Sequence, residues 1–138
     1  IPFRRDRLMA AETTALALAA LLQAVQIGLA AASMNRDVGA KWNASPRDRQ
    51  PEFSALTGRL RRAVDNHFEG LILFTIAVVL VVLSDAGSAL TVLCAWSYLL
   101  ARLLYVPAYA YGWSPWRSVI WGVGFVATLT MILIALFT

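Results

Sequence analysis

The sequence predicts an all-α integral membrane protein built as a four-transmembrane-helix bundle, and three observations predict it. Hydrophobic residues fill 59% of the 138 positions and charged residues only 14%. A water-soluble domain of that length needs more polar surface than this. Four apolar runs are each long enough to cross ~30 Å of hydrocarbon. The charged residues, finally, gather in the connections and in one stretch, Arg59-Leu60-Arg61-Arg62-Ala63-Val64-Asp65-Asn66-His67-Phe68-Glu69, at the mouth of the second run.

The first expected span covers 13–33, after an N-terminal extension, 1–12, that opens with IPFRRDRL. Met9 is a candidate initiator, with the octet before it an upstream extension. A cleaved signal peptide is the rival reading of this run, but the run is long for one and further spans follow. Gln23 and Gln26 share a side of this helix and are expected to face other helices. A polar loop over 35–57 follows, with Gly39, Pro46 and Pro51 among basic residues. A loop of this length is either a cover over a site or a flexible connection. Pro51-Glu52 has the form of a helix start, Pro first and an acid in the first turn. One helix then runs through the charged stretch into the second span, 66–84. Ser84-Asp85-Ala86-Gly87-Ser88 is a turn. The third span, 89–110, carries Pro107, expected to kink or loosen it. Tyr111 to Trp116 reads as an interfacial turn, with Pro115 starting the fourth span, 117–137. Residues 13–138 thus form a single four-helix membrane domain.

The lone cysteine, Cys94, lies in an apolar run and reads as a packed core thiol. The net charge of +4 reads as orientation charge beside a membrane rather than a nucleic-acid footprint. Arg36, Lys41, Arg47, Arg49, Arg59, Arg61 and Arg62 precede or open the second span, and the turn after it has no Lys or Arg. The first and third loops are therefore expected to be cytoplasmic, with both termini on the opposite side. The arginines of the N-terminal octet pull the other way.

At 100° per residue, Arg62, Asn66 and Glu69 fall within about 60° of one another on a helix. Arg102, Tyr105 and Tyr109 share a face of the third span, and Arg117 and Ser118 open the fourth. Ionisable groups at membrane depth normally face the bundle interior or a water-filled cavity. Three helices then bring cations, a carboxylate, an amide, two phenols and a hydroxyl to one depth. Such a set suits a small ligand bearing carboxylates and an ammonium group. The plainer alternative is a structural polar layer, with Glu69 paired to Arg102 or Arg62. His67 lies one residue off this face without a second metal ligand nearby, so it reads as an interfacial histidine facing a helix or headgroups, and no metal site is expected.

The pattern Arg62-Ala63-x-x-Asn66-x-x-Glu69, Ala101-Arg102-x-x-Tyr105-x-x-x-Tyr109 and Pro115-x-Arg117-Ser118 resembles the MAPEG family, membrane-associated proteins of eicosanoid and glutathione metabolism. The resemblance runs from about Leu16 to Ile134 in the family's order of four helices. Asn66-His67-Phe68-Glu69-Gly70 and Tyr105-Val106-Pro107-Ala108-Tyr109 are similar to its bacterial branch. The resemblance implies a homotrimer in the lipid bilayer, of a bacterial inner membrane, with glutathione as bound co-substrate between subunits near the cytoplasmic face. It implies that Arg62, Asn66, Glu69, Arg102, Tyr105 and Tyr109 hold glutathione, and that Arg117, with Ser118, activates its thiol. The implied activity is a glutathione-dependent transferase or peroxidase acting on hydrophobic small molecules, electrophiles or lipid peroxides. The sequence departs from some members at Asp65 and Trp121, and Arg36 is the nearest counterpart of a first-helix arginine. Those departures favour a second reading, a non-catalytic scaffold or accessory subunit of a larger membrane complex. A transporter fits less well, because no inverted repeat or broken helix pair is present.

Overall fold

A computed structural model describes residues 10–49 and 51–138. The octet and Met9 lie outside the described residues. The helices are α1 (Ala11–Val38), α2 (Ala40–Asn43), α3 (Ala55–Leu83), α4 (Ala89–Ala110) and α5 (Trp116–Leu136). Four of them are long and apolar enough to cross a membrane. At 1.5 Å rise per residue even α5 reaches about 31 Å. Their outer faces carry Leu21, Ile76, Leu93 and Val126, all exposed in the isolated chain. In water such a surface is unsustainable, whereas in lipid it is the solvated face.

The chain punctuates these helices by local chemistry. Gly39, at φ +87°, ends α1, its N–H still bonded to the Asn35 carbonyl at 2.8 Å. α3 begins at Ala55, later than the Pro51-Glu52 signal suggests. The Ser54 hydroxyl accepts from the Thr57 N–H, and the Asp37 carboxylate accepts from the Ser54 N–H at 2.9 Å and from the Thr57 hydroxyl at 2.6 Å. A cap with a carboxylate beside it satisfies more orphan donors than Pro51 would. Asp85 takes φ +52° and closes α3, with Ala86 N–H bonded to Val81 O and Asp85 N–H to Val82 O. This is the paired-bond C-terminal motif, which needs a left-handed residue. Gly112, at φ +67°, closes α4 in the same way through Trp113 N–H to Ala108 O and Gly112 N–H to Tyr109 O. Ser88 and Thr91 form a reciprocal capping box at the start of α4. Buried Glu12 accepts from the Thr91 hydroxyl at 2.9 Å there. α4 remains helical through Pro107 to Ala110.

α3 and α4 touch each other and both remaining spans, while α1 and α5 lie on opposite sides and do not meet. The core is therefore the seam between α3 and α4, flanked by one neighbour on each side. Phe74 stacks on Tyr98 at 3.9 Å between ring centroids and 14° between planes. Ala15 and Ala19 let α1 approach on one side, and Ala127 and Met131 close the other. Cys94 is a buried core thiol. Gln23 and Gln26 are buried against the bundle, and the Gln23 amide donates to the Val64 carbonyl of α3.

The long connection is folded on itself. Trp42 meets Phe53 edge-on at 5.4 Å and donates from Nε1 to the Arg49 carbonyl at 2.7 Å. Asn43 donates to Asn35 Oδ1 at 2.7 Å. Its residues border a depression beside α1 and Asp65, not the hollow formed by Tyr105, Tyr109 and Arg117. Within one chain it is a fastened collar rather than a cover.

An electropositive candidate site at one end of the bundle

The buried residues of α3 at this end, Ala63 and His67, follow the spacing of the core seam and are continued by Phe74, Ala77, Val78 and Val81. The stripe Arg62, Asn66 and Glu69 lies beside that seam. Arg62 and Glu69 are exposed and Asn66 is half-buried, so of the two surroundings expected for this face, bundle interior or water-filled cavity, the stripe is outside the packed interior, and Asn66 and Glu69 border a cavity. The physical reason is room: Ala63 and the His67 ring already occupy the seam at this level.

His67 accordingly faces a neighbouring helix, one of the two surroundings expected for it, and does so as a core residue rather than at the headgroups. It is fully buried, with Nε2 2.9 Å from the Ala19 carbonyl of α1 and Nδ1 3.1 Å from Arg102 Nε. A guanidinium only donates, so Nδ1 must accept, and the proton of the neutral ring belongs on Nε2, donated to Ala19 O. One side chain thereby ties α1 to α3 and fixes the orientation of a cation on α4. No group of metal-ligating side chains surrounds it among the described residues.

Arg102 is 3% exposed. Besides His67 it donates from Nη1 to Asn66 Oδ1 at 3.0 Å, and its Cζ lies 4.3 Å from the centroid of the Tyr105 ring. Both hydrogen-bond partners are neutral. Tyr105 is buried next to Tyr109, ring centroids 5.5 Å apart. The Tyr109 hydroxyl accepts from Arg62 Nε at 3.0 Å, and the same ring lies 4.9 Å from Arg117 Cζ. A tyrosine face stabilises a cation without neutralising it. Arg59 reaches the last turn of α4 instead, 3.4 Å from the Ala110 carbonyl, where a cation complements the helix end.

These contacts decide between the two readings of the polar layer. Arg102 is held by Asn66 and His67, Arg62 by Tyr109, and Glu69 makes no ion pair among the described residues. The ion pair found among those residues is Arg36–Asp37, at 3.6 Å, and it includes none of the candidate site residues. Guanidinium groups from α3, α4 and α5 therefore converge on two phenols without a compensating carboxylate. Beside the phenols lies a hollow of about 280 Å³ lined by Asn66, Tyr105, Tyr109, Ser118, Trp121 and, of the three cations, Arg117. Ser118 and Trp121 are exposed at its rim. Glu69 borders a second, deeper cavity, to which Asn66, Arg102 and Trp121 also contribute.

The structure thus brings together Arg62, Asn66, Arg102, Tyr105, Tyr109, Arg117 and Ser118, and sets Glu69 one turn of α3 beyond. It adds His67, which the sequence reading set aside, and Tyr98. Both lie on seams of three- and four-residue spacing, and that periodicity is the signal that marks them.

Fold and site together define an integral membrane four-helix protein with an electropositive hollow at one end of the bundle. The MAPEG family matches residues 13–137, so the chain belongs to the MAPEG family. A comparison with curated proteins gives no match.

Proposed function

We propose that the chain is a membrane-bound glutathione-dependent transferase or peroxidase acting on hydrophobic electrophiles or lipid peroxides. The observation that carries this reading is the convergence of Arg62, Arg102 and Arg117 without an ion-paired carboxylate among the described residues. An uncompensated set of cations favours an anionic ligand, and arginine forks suit carboxylates. The donor set fits the tripeptide. Guanidinium groups match its two carboxylates, Asn66 can bond its amides, and Glu69 is available for its ammonium group. Glutathione supplies the nucleophilic sulfur. An ordinary thiol, pKa ~8.5, is mostly protonated at neutral pH, and a nearby cation favours the thiolate. We assign that role to Arg117, with Ser118 beside it at the rim and Tyr109 holding the guanidinium against its ring. The rim is open on one side in a single chain, which suits a homotrimer whose neighbouring subunit completes the site. The same reading puts this end of the bundle at the cytoplasmic face of a bacterial inner membrane, with both termini opposite, on the basic residues of the α1–α3 connection.

The test is titration calorimetry of the detergent-purified protein with glutathione, alongside Arg117→Ala and Glu69→Gln. Wild type is expected to bind saturably, and Glu69→Gln about 10-fold or more weaker, the value of a hydrogen bond to a charged group. A folded sample that binds nothing at millimolar glutathione overturns the reading and leaves a non-catalytic scaffold subunit in front.

A further inference from the structure

We propose that the depression between α1, the folded connection and α3 binds a phospholipid whose head joins a phosphate to a primary ammonium, a phosphoethanolamine lipid. Its volume is about 230 Å³. Ile27 and Ala31 of α1, Asn43 and Arg47 of the connection, and Arg61 and Asp65 of α3 border it. None of these residues lines the outer hollow or the deeper cavity. Ile27 is 52% exposed, on the outer surface that meets hydrocarbon, so the apolar wall continues into the acyl region of the bilayer. The cations stand where the apolar span gives way to the charged connection, at the level of the headgroups. A soluble zwitterion leaves the apolar wall uncovered, whereas a lipid covers it with the start of an acyl chain.

Charge specifies the head. Arg61 and Asp65 are one helical turn apart, the spacing at which opposite charges ordinarily pair. They do not pair here. Arg61 Cζ lies 4.9 Å from the centroid of the Phe53 ring, and neither residue makes an ion pair among the described residues. Both are exposed, so a cation and a carboxylate are presented side by side on the border of one depression. Arg47 brings a second guanidinium from the connection, held by its Nε–H to the Asn43 carbonyl at 3.0 Å and set 5.5 Å from the Trp42 ring. Arginine binds phosphate through its planar fork. Helical side chains lean toward the N-terminus of their helix, so Asp65 leans toward Arg61 and the membrane surface, within reach of an ammonium group linked to that phosphate. A primary ammonium has three N–H donors for the carboxylate, whereas a trimethylammonium head has none. A further negative charge in the head would be repelled by Asp65, and a simple cation by the two guanidinium groups. A zwitterion answers both signs at once.

The test is native mass spectrometry of the full chain, delipidated in detergent and titrated with phosphatidylethanolamine or phosphatidylcholine of identical acyl chains. It contains no glutathione, so its outcome leaves the glutathione reading untouched. Wild type is expected to take up one phosphatidylethanolamine per chain saturably, about threefold or more tighter than phosphatidylcholine, the value of a partly exposed charge pair. Asp65→Asn should bring that preference close to unity, and Arg61→Gln should weaken both lipids about threefold or more. Both side chains are exposed, so both variants should fold. Soluble glycerophosphoethanolamine, the same head without acyl chains, should neither bind nor compete at millimolar concentration. Equal affinity of wild type for the two lipids, a preference unchanged in Asp65→Asn, or the absence of saturable uptake overturns the proposal. So does competition by the soluble head, which would make the ligand a free phosphate ester. Disulfide-linked dimers of Ile27→Cys formed in the membrane would also overturn it, because a second copy of the chain would then cover the depression.

Discussion

His67→Leu separates a histidine that merely packs from one that holds a cation. The side chain is fully buried, and leucine fills a similar volume, so little cavity is created. What is lost is the acceptor at Nδ1 for Arg102 Nε, 3.1 Å away, and the donor to Ala19 O at 2.9 Å. The Ala19 carbonyl lies inside α1 and keeps a helical partner. The guanidinium does not recover so easily, because at 3% exposure it has little water to turn to. A hydrogen bond to a buried charged group contributes about 1.5–3 kcal/mol. We expect His67→Leu to cost about 2–3 kcal/mol, roughly a 30- to 150-fold shift in the folding equilibrium. Adding Arg102→Met removes the stranded charge, and replacing both members of a buried polar pair is far milder than removing one. The double variant should regain about 1–2 kcal/mol relative to additivity. Unfolding in mixed micelles by titrating in sodium dodecyl sulfate, followed by tryptophan fluorescence, reads both numbers. A His67→Leu variant within ~0.5 kcal/mol of wild type, or strictly additive effects, would refute the structural role assigned here.

Asp37→Ala should loosen the start of α3, because its carboxylate accepts from both the Ser54 N–H and the Thr57 hydroxyl. Loss of a cap costs ~1 kcal/mol, and hydrogen exchange should accelerate at Ala55–Gly58 while the centre of α3 stays protected. An Ala44→Cys variant and a Ser84→Cys variant test the orientation, since the native Cys94 is buried and leaves both backgrounds quiet. In spheroplasts an impermeant maleimide should label Ser84→Cys and reach Ala44→Cys only after the membrane is permeabilised. The reverse pattern would invert the topology.

The four spans were legible because membrane insertion is read from local composition, and each run carries its own signal. The short turn at Ser84–Ser88 was legible for the same reason. Other features depended on partners distant in sequence. Pro51-Glu52 has the form of a helix start, yet Asp37 and Ser54 move the boundary to Ala55, and nothing near residue 51 announces Asp37. The site residues were chosen by polarity and by their match to a family pattern, and Arg102, Tyr105, Tyr109 and Arg117 do converge. Polarity alone did not mark the packed face of α3. The seam runs through Ala63, His67 and Phe74, so the single histidine belonged to the core by spacing while its chemistry suggested the interface. On α4 the same spacing carries Thr91, Ala95, Tyr98, Arg102 and Tyr105 into the interior, with two polar side chains left incompletely satisfied there.

That incompleteness bears on what the polar layer is for. A layer serving stability alone would set a carboxylate against Arg102, since an unpaired buried charge is costly. Glu69 borders the same cavity as Arg102, yet the guanidinium is held by an amide, an imidazole and an aromatic face. Neutral partners fix its position and leave its charge to act elsewhere. Arg62 and Arg117 are treated alike, both lying against the Tyr109 ring. Arg102 alone of the three is buried, so it is the one whose charge most needs an anionic partner, which under the proposed reading the ligand supplies. Departures from the stability optimum of this kind belong at binding sites.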